Sequence, residues 1–297
     1  MKDALRKLIR PAIRQLRTSA NKAGYDIVRI PQSGSNSEGA PQVYFNSVQD
    51  KADVKYIEPV SLRNLVDPDE KTTNRYMSLF LGRIGNIDSR QNFPILGKGD
   101  KSLNVQERVV AYVSRERIAE YVSVSDWCMR CGVELDDANI LDVGTGIGML
   151  PFVLKDKWNR ANIAACDANR DYVELAAALF PEIQFICQPL SSVYGKYDVV
   201  FFTEILEHMA DPFHAADQLR RIVKPTGKII LTVPDGRRDQ MESVTFIQET
   251  GSYGGHVNFW SIESWFSFLQ NAFLPANIWV GCMSGSTLFA CVEPRAT

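Results

Sequence analysis

Ile140-Leu141-Asp142-Val143-Gly144-Thr145-Gly146-Ile147-Gly148-Met149-Leu150 passes from a short apolar run, through three glycines in five residues, into a stretch of helical spacing. Such a run, closed by glycines, reads as a buried strand, a tight turn and a helix start. Glycines there permit positive φ and close approach of a ligand to the backbone, while the amides of a helix N-terminus offer donors. Asp167 closes the next apolar run, 25 residues after Asp142, where a carboxylate can accept hydrogen bonds from both hydroxyls of a ribose. The expected ligand is therefore nucleotide-like. The dinucleotide fingerprint would need its third glycine at position 149, which is Met149; the third glycine here is Gly148. That spacing weakens a pyrophosphate cradle and makes an NAD-type oxidoreductase the lesser alternative.

Short apolar runs recur at 139–143, 163–166, 183–187, 198–202 and 228–233, with helix-like stretches between them. Alternating strand and helix implies a parallel sheet with right-handed crossovers. The end differs, because runs at 278–280 and 286–292 flank Gly281-Cys282-Met283-Ser284-Gly285 and read as a hairpin. The expected fold class is α/β: a Rossmann-like, seven-stranded, mostly parallel sheet with a C-terminal antiparallel hairpin and an N-terminal helical and irregular extension.

Outward from this core the chain of 297 residues divides into three parts. Residues 1–30 carry eight basic side chains against two acidic ones, a net +6 that leaves −8 for the remainder of a chain whose total is −2. Leu5, Leu8, Ile9, Ala12, Ile13 and Leu16 recur there at helical spacing, interrupted by Pro11, so the leader reads as a basic amphipathic helix with a kink. Apolar burial and attraction to anionic lipid would then add, and peripheral contact with an anionic membrane through residues 1–22 is one expectation. Docking on an acidic protein surface and a cleaved Arg-rich transit peptide are the others. Residues 31–104 are a linker, PQSGSNSEGAPQ at 31–42, followed by a cap region of mixed character. Residues 105–297 form the cofactor-binding domain.

At 45% hydrophobic and 23% charged, the composition excludes disorder and a disulfide scaffold. No apolar run reaches the ~18 residues of a spanning helix, and because residues 1–17 lack the continuous apolar region of a secretory signal, secretion is not the expectation. Six cysteines in largely apolar contexts point to a reduced, cytoplasmic setting. Cys128 and Cys131 have CxxC spacing without a second pair to complete a zinc site.

These motifs resemble the class I S-adenosylmethionine-dependent methyltransferases. The resemblance covers about residues 105–297: the Asp142–Gly148 loop, Asp167, Tyr197-Asp198-Val199-Val200-Phe201-Phe202, Glu204-Ile205-Leu206-Glu207-His208, the Lys224-Pro225-Thr226-Gly227 turn and Gly255-His256-Val257-Asn258-Phe259-Trp260-Ser261. It implies S-adenosylmethionine as cofactor. Gly144 and Gly146 would pass close to its methionine part, Asp142 would help hold the amino group, Asp167 would bind the ribose, and Ala168 would lie beside the adenine. Thr145 and Thr203 would belong to the same pocket. In the family an acid often follows the third strand to bind the adenine amine; here Gln188 stands near that place and would act through its amide.

Methyl transfer from a sulfonium is an in-line displacement, so much of the catalysis can come from holding the partners in line. A hydroxyl nucleophile gains further from a base or a metal. The chain has three histidines, His208, His214 and His256. Glu204, His208 and His256 are the expected catalytic residues, with His214 on a surface helix. If a helix begins at Glu204, then Glu204, Glu207 and His208 share one face. With His256 from the loop after the fifth strand they could hold a divalent ion, an arrangement that looks like the metal site of small-RNA 2′-O-methyltransferases and ubiquinone-pathway O-methyltransferases. The −8 outside the leader argues against nucleic acid, with RNA 2′-O-methylation a minor alternative. A saccharide or other small-molecule acceptor, methylated on oxygen, is the expected substrate. A cofactor-binding module that regulates a membrane-associated glycan enzyme without catalysing a reaction is the alternative from another class.

Overall fold

The computed structural model describes residues 54–56, 70–87, 113–236, 255–282 and 287–295. The leader, the 31–42 linker, residues 105–112 and the hairpin tip at 283–286 lie outside the described residues. In chain order the strands are β1 (Val54–Tyr56), β2 (Asn139–Val143), β3 (Asn162–Asp167), β4 (Gln184–Cys187), β5 (Tyr197–Thr203), β6 (Val223–Pro234), β7 (Ala276–Cys282) and β8 (Thr287–Pro294). The helices are α1 (Glu70–Gly85), α2 (Arg115–Arg130), α3 (Met149–Lys157), α4 (Arg170–Leu179), α5 (Pro212–Ile222) and α6 (Ile262–Phe273).

One sheet holds every strand among the described residues, in the order β1-β7-β8-β6-β5-β2-β3-β4. Its pairs are parallel except those of β8, which runs antiparallel to both β6 and β7. The expected seven-stranded, mostly parallel sheet with its closing hairpin is present as β2 to β8. An eighth strand joins it: β1, from the segment read as linker and cap, pairs in parallel with β7 through Val54 and Ile278. The chain builds from β2 outward to β3 and β4, then returns to the other side of β2 with β5. The β2/β5 junction is thus the point at which strand order reverses, the place where parallel α/β sheets bind ligands at the strands' carboxyl ends.

A sheet covered on both faces needs apolar residues at successive strand positions. Ile140, Val199, Phe201 and Ile230 face the layer of α2, α3 and α4, whereas Leu141, Val200, Phe202 and Leu231 face α5 and α6. Outside the first layer lies α1. Its Tyr76, Phe80 and Ile84, spaced by four, are all buried. Phe80 meets the rings of Phe152 and Phe180 edge-on at 5.0 and 5.5 Å. Burial of each such side chain stabilises by roughly 1.5–3 kcal/mol. Arg75, bidentate to Asp156, and Arg83, bidentate to Glu182, set the register of α1 at the rim. Such exposed pairs add little stability.

Gly148 ends the glycine turn at φ +80 and caps α3. A Cβ there would stand 2.8 Å from Phe185 Cζ and 3.1 Å from Phe180. Gly148→Ala should therefore combine left-handed strain with displaced rings and cost about 2–4 kcal/mol. The check is urea unfolding of the two proteins, and an unchanged midpoint would contradict the role given to this turn.

Candidate active site

The carboxyl end of β2 supplies Asp142, enclosed by β3 and β5 through its register partners Ala165 and Phe201. Burial pushes its carboxyl up to about 7; the Thr145 hydroxyl acts in the opposite sense, and the charge of Asp167 reinforces the rise. Here the chain leaves the sheet. Gly144 N–H and Thr145 N–H both donate to Cys166 O, at 2.8 and 3.1 Å, which ties the turn to the end of β3. Gly144 and Gly146 stand at φ +75 and +54, conformations that side chains with a Cβ rarely adopt.

Asp167 ends β3 with both carboxylate oxygens engaged: Oδ2 accepts from Gly146 N–H at 3.0 Å and Oδ1 from Asn169 N–H at 2.8 Å. A carboxylate has about four acceptor positions, so each oxygen keeps capacity for a ligand hydroxyl. Ala168 follows at an exposed position, and Gln188 N–H donates to Asp167 O at 2.9 Å, which draws the exit of β4 alongside that of β3. Asp142, Gly144, Thr145, Gly146, Asp167, Ala168 and Gln188 thus lie on one edge of the sheet, with Thr203 at the end of neighbouring β5.

The turn after β5 departs from the sequence expectation. No helix begins at Glu204. That residue is left-handed, at φ +55, with its N–H on Thr232 O, and a single 3-10 turn follows at Leu206–His208. Helical three-and-four spacing therefore does not align Glu204 with Glu207 and His208. Ligand atoms of Glu207, His208 and His256 converge within 4.8 Å of one another, and Glu204 is not part of that group. Glu207 is buried, whereas the His208 side chain is 44% exposed. His208 Nδ1 lies 3.0 Å from Gly255 O, and Nε2 lies 3.7 Å from Glu207 Oε1. A carbonyl only accepts, so Nδ1 carries the proton, and in the neutral form of the ring Nε2 is the acceptor. The His208 and His256 rings meet edge to face, with centroids 4.6 Å apart. His214 sits apart from them, exposed in the first turn of α5, which Asp211 caps.

Two contributors were not singled out from sequence. Ile205 leans over the glycine turn: a Cβ on Gly144 would collide with its Cδ1. Its one signal was an apolar residue between charged ones. Gly255, whose carbonyl sets the His208 ring, is 47 residues from it in sequence, and spacing carries no sign of that contact.

The arrangement joins a glycine cradle, a ribose-competent carboxylate and a group of proton acceptors along one sheet edge. A family model described as a methyltransferase domain matches residues 115–272, more than half of the chain. The chain belongs to this family, within the class I S-adenosylmethionine-dependent methyltransferases. That membership decides between the two cofactor classes compatible with the glycine spacing. A ubiquinone biosynthesis O-methyltransferase of Alkalilimnicola ehrlichii is 29% identical over 115 residues, 36% of this chain and 46% of the relative. A trans-aconitate 2-methyltransferase of an Azoarcus species is 23% identical over 105 residues, 34% of this chain and 42% of the relative. The chain thus spans less than half the length of the curated relatives it matches. The fold is shared with the PH0226 protein of Pyrococcus horikoshii, at a TM-score of 0.51 and 17% identity over 61% of this chain and 92% of that one.

Proposed function

We propose that the protein transfers a methyl group from S-adenosylmethionine to a hydroxyl oxygen of a saccharide or similarly small acceptor. The observation that carries this reading is the placement of Nε2 of His208, in its Nδ1–H tautomer, beside Glu207 and His256 at the sheet edge that bears the cofactor cradle. The residues present fit the cofactor: Gly144 and Gly146 hold the turn in left-handed conformations beside which its methionine part would lie, Asp142 would hold its amino group, and Asp167 keeps acceptor capacity for its ribose. Thr145, Thr203, Ala168 and the Gln188 amide complete the pocket. When bound, S-adenosylmethionine supplies an electrophilic methyl on a sulfonium. Nε2 of His208 takes the acceptor's proton as the oxygen attacks, and the buried Glu207 carboxylate at 3.7 Å stabilises the resulting imidazolium.

A second reading rests on the convergence of Glu207, His208 and His256. Two imidazoles and a carboxylate suit a divalent ion, whose contribution would be to acidify the acceptor hydroxyl. Attachment of the +6 leader to an anionic membrane surface, in the cytoplasm, is part of the same proposal and would bring the enzyme to lipid-linked saccharides. Among the described residues no helix is long and apolar enough to cross a membrane.

The test is calorimetric titration with S-adenosylhomocysteine across pH. Asp142, raised to about 7 in the folded protein, is largely protonated below that pH, and an ammonium partner needs the carboxylate. Affinity should weaken by up to about tenfold per pH unit below 7 and level off above it. Asp142→Asn should bind more weakly and lose this slope. Absence of binding by the folded protein would sink the whole reading, whereas binding that ignores pH would sink only the role of Asp142.

A further inference from the structure

We propose that Asn258 is a positioning residue, which clamps the Leu206–His208 turn so that the Gly255 carbonyl holds His208 in its Nδ1–H tautomer. Its side-chain nitrogen donates to Leu206 O at 3.0 Å and to Met209 O at 2.6 Å, the carbonyls that bracket Glu207 and His208. Both partners are carbonyls, so the NH2 side of the amide must face them. The backbone completes the clamp, because Val257 N–H and Asn258 N–H donate to Glu207 O at 2.7 and 3.1 Å. Four hydrogen bonds from two adjacent residues thus hold one short turn. Three residues upstream on the same segment, Gly255 O meets His208 Nδ1, and His256 brings its ring against that of His208.

The physical reason to single out the side chain is the weakness of the turn it holds. One 3-10 turn has few bonds of its own: His208 N–H reaches Ile205 O and Met209 N–H reaches Leu206 O. It also follows the left-handed Glu204, so it has no preceding helical turn to continue. The orientation of the His208 ring therefore depends on the segment docked beside it. Loss of the Asn258 donors lets Gly255 O and Nδ1 separate, and the Nε2–H tautomer, which cannot take a proton at Nε2, becomes populated.

The proposal rests on His208 acting as the base, and its test reads the ring itself. The full chain has three histidines, so nitrogen-15 histidine labelling resolves each ring, with His208→Gln to assign the signal. Asn258→Asp is nearly isosteric but replaces the donor with carboxylate oxygens that face two carbonyls. In that variant the distinct Nδ1–H and Nε2 signals of His208 should move toward a common value, while the affinity for S-adenosylhomocysteine stays within about twofold, because the cradle lies on β2 and β3. Asn258→Ala should give a smaller shift in the same direction, and it carries the test if the aspartate variant does not fold. Retention of the wild-type His208 signals in the folded variants would overturn the clamp. A shifted tautomer together with wild-type turnover would support the clamp and remove His208 as the base, so the two failures are distinguishable.

Discussion

Asp167→Ala should weaken binding of S-adenosylhomocysteine by two orders of magnitude or more. The carboxylate closes β3 and is held from two sides by Gly146 N–H and Asn169 N–H, so its oxygens are fixed before any ligand arrives. Hydrogen bonds to a charged group contribute about 1.5–3 kcal/mol each, and the loss of two would come to about 3–6 kcal/mol. Part of that loss is indirect, since the glycine turn also loses the acceptor that Gly146 uses. Asp167→Asn separates the contributions. It keeps the size of the side chain but turns an NH2 group toward one backbone N–H, so it should bind between wild type and alanine. Calorimetry on all three proteins is the measurement, and alanine-variant binding within threefold of wild type would show that Asp167 does not hold the ribose.

His208→Ala should have the second large effect, on turnover rather than on binding. Removal of a positioned base commonly costs about 10²–10⁴ in rate. The affinity for S-adenosylhomocysteine should stay near wild type, because the imidazole belongs to the turn after β5 and not to the glycine turn. Assay of both proteins in excess EDTA divides the base reading from the metal reading. A base acts equally well in chelator; a metal site predicts loss in wild type and recovery on return of a divalent ion. Cofactor binding by wild type without turnover on any acceptor, saccharides included, would favour the regulatory module instead.

Whether a feature could be read from sequence followed the distance over which its cause acts. The runs of the central strands β2, β5 and β6 were legible because a strand buried on both faces must itself be apolar, whereas the edge strand β4 has no buried residue. The glycine turn was legible because positive φ selects glycine locally, at Gly144, Gly146 and Gly148. Asp167 was legible because one βαβ unit sets its spacing from Asp142. In the 43–104 segment the same approach did not resolve α1 or β1. Phe80 earns its place through Phe152 and Phe180, 72 and 100 residues onward, and β1 is an edge strand three residues long. The shared face that a helix from Glu204 would give is not formed, although Glu-Ile-Leu-Glu-His suits a helix. The conformation of this turn is set instead by Glu204 N–H on Thr232 O and by the docked 255–258 segment.

The sequence by itself thus determined the class of fold, the sheet edge that carries the glycine turn and Asp167, and the three histidines from which the proposed base is drawn. The tertiary structure alone decided which side chains meet: Glu207 with His208 and His256 but not Glu204, Ile205 over Gly144, and His208 held by the carbonyl of Gly255. The reason is physical. Strand, turn and crossover obey short-range sterics and hydrophobic periodicity, which are written in adjacent residues. The orientation of an imidazole depends on a backbone carbonyl, a group that every residue carries and no sequence pattern marks.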